Sequence, residues 1–168
     1  IHPKSGLTFD VGLKSLLRHD PDILMIGEIR DQTTTSIAFQ AAQTGHLVFA
    51  SIHANSALGI LARLTHLGIS KDLLCDALLA LCSQRLVRKL CQVCLGLSHS
   101  ECECTGSGYQ GVIAAHEIIP ITDSIRLAIE NDNDSSALMR IVRQSGIESL
   151  SQRLNDLVSK NLTSAIEI

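Results

Sequence analysis

Apolar residues in the first half of the chain recur at helical spacing in some stretches and run unbroken in others. Val11, Leu13, Leu16 and Leu17 lie broadly on one face of a helix over 8–18, which Thr8 can cap. Asp20-Pro21-Asp22 stops it, because the residue before a proline is pushed out of the helical region. Ile23, Leu24, Met25 and Ile26 form a short continuous apolar run that Gly27 ends, the pattern of a strand buried on both faces of a parallel sheet. Residues 33–43 are Ala-rich and helical in pattern, Gly45 is a stop, and 47–52 predict a second buried strand. Asn55 or Ser56 caps the next helix, which runs to about His66 and closes at Gly68. Ser70 opens another, through Leu74, Ala77, Leu78 and Leu81 towards Arg85. Helix, strand, helix, strand, helix is the rhythm of an α/β fold with a parallel sheet.

The character changes at Cys91. From there to Gly111 apolar residues are few and Cys, Gly and Ser are dense, so the segment lacks a core of its own and needs a staple. Beyond Pro120 three amphipathic helices are predicted near 122–130, 135–144 and 149–160, with a polar turn at 131–134 between the first two. The chain thus reads as three regions: 1–90 with the α/β pattern, 91–118 rich in cysteine, and 119–168 helical. It holds no internal repeat and no low-complexity linker.

Composition and charge act mainly by exclusion. The 168 residues suffice for one ordinary core, or for a truncated core with an appendage, and an apolar content of 45% favours a folded chain. Lys and Arg number 14 against 17 Asp and Glu, with no basic block to track a phosphate backbone, so no nucleic-acid partner is expected. The apolar runs at 23–26 and 77–81 fall far short of the roughly 18 residues of a transmembrane segment, so a soluble chain is expected. Ile1-His2-Pro3-Lys4-Ser5 offers neither an initiator Met nor an export signal, from which we expect a cytoplasmic chain and a fragment of a longer one. Six cysteines without such a signal are more often thiols or metal ligands than disulfides.

Two segments carry candidate chemistry at strand ends. In Ile23-Leu24-Met25-Ile26-Gly27-Glu28, the acid falls at the carboxyl edge, where nucleotide-binding sheets place the group that holds Mg²⁺ or orients the attacking water. Four apolar residues before an acid also arise by chance in many folds. In 44–56, His46 stands where the second strand begins and His53 where it ends. Extended chain between them puts the two rings on opposite faces or at opposite ends, so they do not share one metal ion. His53 lies at the same carboxyl edge as Glu28, suited to contact a terminal phosphate, although a lone His there is usually a hydrogen-bonded surface residue. Arg18, Arg30, Arg63, Arg85 and Arg88 are the cations able in principle to reach a neighbouring subunit's phosphates; for any one of them a solvated or ion-paired position is the ordinary reading.

Taken together, Gly6-Leu7-Thr8-Phe9, Leu17-Arg18-His19-Asp20-Pro21-Asp22, Gly27-Glu28-Ile29-Arg30-Asp31, Thr44-Gly45-His46-Leu47-Val48 with His53 and Asn55, and Gln84-Arg85-Leu86-Val87-Arg88 resemble the secretion ATPase family. That family serves type II secretion, type IV pilus assembly and DNA uptake, and the resemblance covers nearly the whole chain. It implies a partial RecA-like P-loop ATPase core over 1–90, an atypical Walker B motif containing Glu28, and a histidine box containing His46 and His53. Glu28, Arg30 and His53 are then the residues facing ATP and Mg²⁺, with Glu28 acting through the metal or through water and His53 sensing the γ-phosphate. It also implies a hexamer working against inner-membrane platform components of a pilus or secretion system. The family's Gly-rich loop, G-x-x-x-x-G-K-[ST], and its acidic motif occur nowhere in these residues, so the intact protein is expected to hydrolyse ATP and this chain alone is not. The alternative is a non-enzymatic, truncated or decayed interaction module.

The cysteine segment reads Cys91-x-x-Cys94, then Cys102-x-Cys104, then Gly108-Tyr109-Gln110-Gly111. Four Cys in two close pairs fit tetrahedral Zn²⁺, which takes thiolates and folds small loops that lack a core. Assembly-type family members usually carry two C-x-x-C pairs ahead of G-Y-x-G-R. Here the second pair is C-x-C, the intervening loop is short and Val112 replaces the Arg, so Cys102 is shifted by one position and His99 is a spare ligand. Reduced thiols without metal are the other reading. Cys75 and Cys82, on one apolar helix face, are expected to be core residues.

Overall fold

The computed structural model describes residues 8–97, 102–131 and 134–168. In chain order the elements are α1 (Phe9–Leu16) with a 3₁₀ turn (Leu17–His19), β1 (Ile23–Ile26), α2 (Gln32–Gln43), β2 (Leu47–Ala50), α3 (Gly59–His66) and α4 (Lys71–Ala77). They continue with β3 (Ala80–Leu90), β4 (Tyr109–Pro120), α5 (Asp123–Glu130), α6 (Ser135–Gln144), α7 (Leu150–Ser159) and a final 3₁₀ turn (Ala165–Glu167). The chain divides into two compact units. The first runs to Leu81 and takes in Pro120–Met139; the second comprises Cys82–Ile119 and Arg140–Ile168.

In the first unit β1 and β2 pair in parallel, with Ile23 opposite Leu47 and Ile26 opposite Ala50. Asp20, in the left-handed region at φ 53°, turns the chain out of the 3₁₀ segment just before Pro21. Leu24 and Ile26 are buried, and Ile26 joins a cluster with Leu13 of α1, Ile29, and Ile37 and Ala38 of α2. A second cluster joins Phe39 of α2 to Leu64, Ile69 and Leu74. Gly68 closes α3 at φ 88°, a left-handed conformation that favours glycine.

One expectation for β1 fails. The run reads as buried on both faces, yet Ile23 and Met25 are 60% and 85% exposed and share their face with exposed Leu47 and Phe49. Successive strand residues point to opposite faces, and among the described residues only the face carrying Leu24 and Ile26 is covered.

A second expectation fails at the end of α4. The helix opened by Ser70, whose hydroxyl accepts from the Leu73 N–H, ends at Ala77 instead of continuing towards Arg85. Leu78 is extended and β3 follows at once. Leu78, Leu79, Ala80 and Leu81 are apolar at every position, which gives a helix no polar face, and Leu81 and Val87 are the buried points of a strand. Cys82 consequently lies exposed on β3, separate from buried Cys75 of α4.

In the second unit β3 pairs with β4. Ala115, Glu117 and Ile119 alternate inward along β4, and Ser83 donates to Glu117 Oε2 at 3.2 Å, giving the buried carboxylate a partner. Val87, Ala115 and Leu154 of α7 form the apolar cluster of this unit. α7 begins with a capping box in which the Ser149 hydroxyl and the Gln152 side chain serve each other's backbone N–H.

Candidate functional site

The carboxyl ends of β1 and β2 are adjacent because the strands are parallel and in register. The ladder continues one step past both strands. The Ser51 N–H donates to the Ile26 carbonyl at 3.3 Å, and the Ile29 N–H donates to the Ser51 carbonyl at 2.8 Å. The Ser51 hydroxyl also donates to the Gly27 carbonyl. Gly27 and Glu28 are therefore pinned on either side by one residue of the neighbouring strand, and Ile29, buried in the α1/α2 cluster, anchors the far end of the turn. Ser51 is a positioning residue that the sequence does not announce: it is simply a small polar residue after an apolar run.

Both carboxylate oxygens of Glu28 are engaged. Arg30 Nε donates to Oε2 at 2.6 Å, and His53 Nε2 lies 2.9 Å from Oε1. The Arg30 hydrogen bond, with its charge and that of His53, holds the Glu28 carboxyl below the ordinary carboxylate range. The result is an ionised acid at the sheet edge, with its side chain partly shielded and that of His53 open to solvent. Such a group can accept from water or from the shell of a cation.

Asp31 next to Arg30 has another task. Its oxygens accept from the Thr34 N–H at 2.8 Å and the Thr34 hydroxyl at 3.2 Å, capping α2. His46 stands at the opposite, amino end of β2. Its Nδ1 lies 3.0 Å from the Ala41 carbonyl and 3.2 Å from the Thr44 hydroxyl, at the carboxyl end of α2. Four strand residues, about 13 Å of extended chain, separate it from the edge that gathers Glu28, Arg30 and His53.

The second gathering of chemical groups is the cysteine cluster. The sulfurs of Cys91, Cys94, Cys102 and Cys104 all lie within 4.8 Å of one another. Cys91 and Cys102 are 3.6 Å apart, Cys94 and Cys104 3.7 Å. Zn–S bonds of about 2.3 Å in a tetrahedron set sulfur–sulfur edges of about 3.8 Å, so the cluster has the dimensions of such a site. Leu95 and Thr105, both at positive φ, shape the two turns, with the Leu95 N–H donating to the Cys91 carbonyl and the Thr105 N–H to the Cys102 carbonyl at 2.8 Å each. The Cys94 and Val93 N–H groups aimed at the Cys91 sulfur pull that thiol down. Burial pushes Cys94 up to about 12. Cys104 is pushed up by burial too, but the Gly108 N–H and the neighbouring thiols outweigh this and bring it to about 7. Four sulfurs so crowded and so shielded are compatible with thiolates when a cation shares their charge. Cys102 reaches the cluster despite its one-position shift, and His99 lies outside the described residues.

A sequence model of the family described as "Type II/IV secretion system protein" matches residues 1–168. The type IV pilus assembly ATPase PilB of Thermus thermophilus is 39% identical over 175 aligned residues, which cover 89% of this chain and 20% of that protein. The type II secretion system protein E of Dickeya dadantii is 39% identical over 176, covering 88% and 35%, and the protein transport protein HofB homolog of Escherichia coli 40% over 187, covering 100% and 41%. The chain thus spans between about a fifth and two fifths of these relatives. The ATPase DotB of Yersinia pseudotuberculosis superposes with a TM-score of 0.68 at 25% identity, over 95% of this chain and 39% of that one. DotB of Legionella pneumophila gives 0.72 at 22%, over 96% and 41%, a likeness of fold. With the whole length matched and the α/β fold of these ATPases present, the chain belongs to the secretion ATPase family of type II secretion and type IV pilus assembly.

Proposed function

We propose that this chain is the C-terminal portion of a hexameric motor ATPase that powers type II secretion or type IV pilus assembly, with Glu28 as the acid of its nucleotide site. The observation that carries the reading is the 2.9 Å contact between Glu28 and His53, made at adjacent carboxyl edges of two parallel strands. Parallel sheets bind nucleotides at that edge, and an ionised carboxylate there orients the attacking water or the hydration shell of the cation on the phosphates. Mg²⁺ on ATP supplies charge neutralisation of the phosphate oxygens. Glu28 accepts the hydrogen bonds, His53 turns towards the terminal phosphate, and Arg30 exchanges its Glu28 contact for phosphate when nucleotide is present. His46 acts from the other end of β2, through the α2 terminus it is bonded to, so its loss should reduce turnover less than loss of His53.

Cys91, Cys94, Cys102 and Cys104 hold Zn²⁺ as a structural ion, since all four thiols serve as ligands and no position is left open for chemistry. The assembled motor works in the cytoplasm against inner-membrane platform components. No helix among the described residues is long and apolar enough to cross a membrane. The phosphate-cradling loop and its Lys are not among these 168 residues, and without them ATP lacks several charge-assisted hydrogen bonds of roughly 1.5–3 kcal/mol each.

Phosphate release by the full-length protein and by these 168 residues tests the reading. Turnover by the longer chain alone is expected. Absence of turnover in both would favour a non-enzymatic interaction module. Turnover by the 168 residues that Glu28→Gln removes would mean a phosphate site of a different kind.

A further inference from the structure

The cysteine cluster sits at the ends of β3 and β4, and the segment after α7 is bonded to both strands. Cys91 follows the last residue of β3, and Tyr109 opens β4 shortly after Cys104. On the β3 side, the Leu90 N–H donates to the Leu162 carbonyl at 2.9 Å, and the Thr163 hydroxyl donates to the Arg88 carbonyl at 2.7 Å. On the β4 side, the Tyr109 and Ser164 hydroxyls share a hydrogen bond of 2.6 Å. Arg88 joins the two sides. Its guanidinium lies 4.2 Å from the centre of the Tyr109 ring, while Nε donates to Glu167 Oε1 at 3.0 Å and the backbone N–H to Oε2 at 3.1 Å. Thr163 is 1% exposed, so its bond to the Arg88 carbonyl lies in the interior of the unit, with the Arg88–Glu167 bonds nearer the surface.

We propose that residues 162–167 form a strap that sets the metal affinity of the tetracysteine site. It holds the ends of β3 and β4 at the spacing that aims Cys91 and Cys94 at Cys102 and Cys104. The inference rests on reading that cluster as a metal site. None of the strap residues is a ligand; they are positioning residues. Ligands that are brought together only at the moment of binding incur the ordering cost then, whereas strand ends already tied by internal hydrogen bonds have met it on folding. The Cys91 N–H bond to the Gly108 carbonyl, 2.9 Å long, passes the constraint directly from the tied strands to the first ligand. By linkage the effect is reciprocal: bound metal stabilises the docked strap to the same extent that the strap stabilises bound metal.

Transfer of zinc from the zinc-loaded protein to an excess of chromogenic chelator reads the strap's contribution. Tyr109→Phe and Ser164→Ala each remove the same hydroxyl pair, so each should speed release about fivefold and the double variant no more than either single one. Thr163→Val keeps the shape but leaves the Arg88 carbonyl without its donor, and should speed release about tenfold. Ser164→Thr restores a hydroxyl and should return the rate towards that of the parent. Arg153→Met, which breaks the exposed Arg153–Glu148 pair in the same unit, is the stability control and should leave the rate unchanged. Conversely, stripping the metal should raise amide exchange across 162–167 about tenfold or more. If Thr163→Val does not fold, the Tyr109 and Ser164 variants still decide the matter. Release at the parental rate in those variants overturns the strap and leaves the metal site standing. A parent protein that takes up no zinc overturns the metal reading, and the strap's role with it.

Discussion

The two units hold themselves together by different means. The first has two apolar clusters, one around Leu13, Ile26, Ile29 and Ile37, the other around Phe39, Leu64, Ile69 and Leu74. Each large side chain buried there contributes about 1.5–3 kcal/mol with no ligand involved. The second has the Val87, Ala115 and Leu154 cluster and, beside it, a cluster made of cysteines. Sulfurs packed that closely add little unless a cation draws them together. In the first unit the apolar clusters do not depend on Glu28, Arg30 or His53. If the second unit holds the proposed zinc ion, the ion is part of its scaffold, and its loss should affect the two units unequally.

Metal removal is the strongest way to break this contrast. Structural zinc in small modules is worth about 10–16 kcal/mol, so a chelator should abolish amide-exchange protection in the turns around Cys91, Cys94 and Cys104. Protection of β1 and α2 should persist. Equal loss in both units would erase the distinction.

Leu74→Ala sharpens it from the other side. Leu74 is 1% exposed in the second apolar cluster, and its truncation should cost about 2–5 kcal/mol in urea unfolding of the first unit while zinc content stays unchanged. A smaller effect is expected at Asp31. Removing its cap of α2 by Asp31→Ala should cost about 1 kcal/mol, again with zinc retained.

The smallest effect concerns pH. Glu167 lies below the ordinary glutamate range because Arg88 donates to it from its side chain and backbone. A depressed folded value means the contribution is present above the unfolded value and lost as pH falls through the folded one. Stability of the second unit should therefore decline on the acid side of the ordinary glutamate range, and Glu167→Gln should flatten that slope in urea midpoints measured across pH.

Periodicity and capping signals carry much of this architecture. The run 23–26, the helix around 33–43 and the three helices after Pro120 stand close to where their patterns put them, and the helix expected from a cap at Asn55 or Ser56 begins at Gly59 and ends at His66. The pair β3 and β4 does not announce itself. Its first residues are apolar at every position, a pattern helix and strand share, and Glu117 interrupts the apolar alternation at an inward position where the Ser83 hydroxyl donates to it. The exposed face of β1 is equally invisible in a run of four apolar residues, since its solvation depends on what lies across the sheet. Strand ends alone leave Glu28 and His53 ambiguous, and it is their occurrence together in the family-like segments that singles them out. Ser51 cannot be found in this way, because its bond to Gly27 joins residues remote in sequence. The one-position shift of Cys102 looks damaging as a spacing, but the turn at Thr105 brings its sulfur into the cluster.

Glu28 is proposed to act on nucleotide chemistry, beyond its part in an ion pair. An exposed pair such as Arg30–Glu28 contributes little to stability, so Glu28→Gln should leave the fold of the full-length protein intact. The amide keeps the size and one acceptor but loses the charge that orients water or the hydrated cation. Steady-state phosphate release measured beside fluorescent-nucleotide titration on the full-length Glu28→Gln protein is the most direct test. Turnover is expected to fall by about a hundredfold or more with nucleotide affinity nearly unchanged. Near-normal hydrolysis in that variant would contradict it and leave Glu28 a structural residue of the sheet edge.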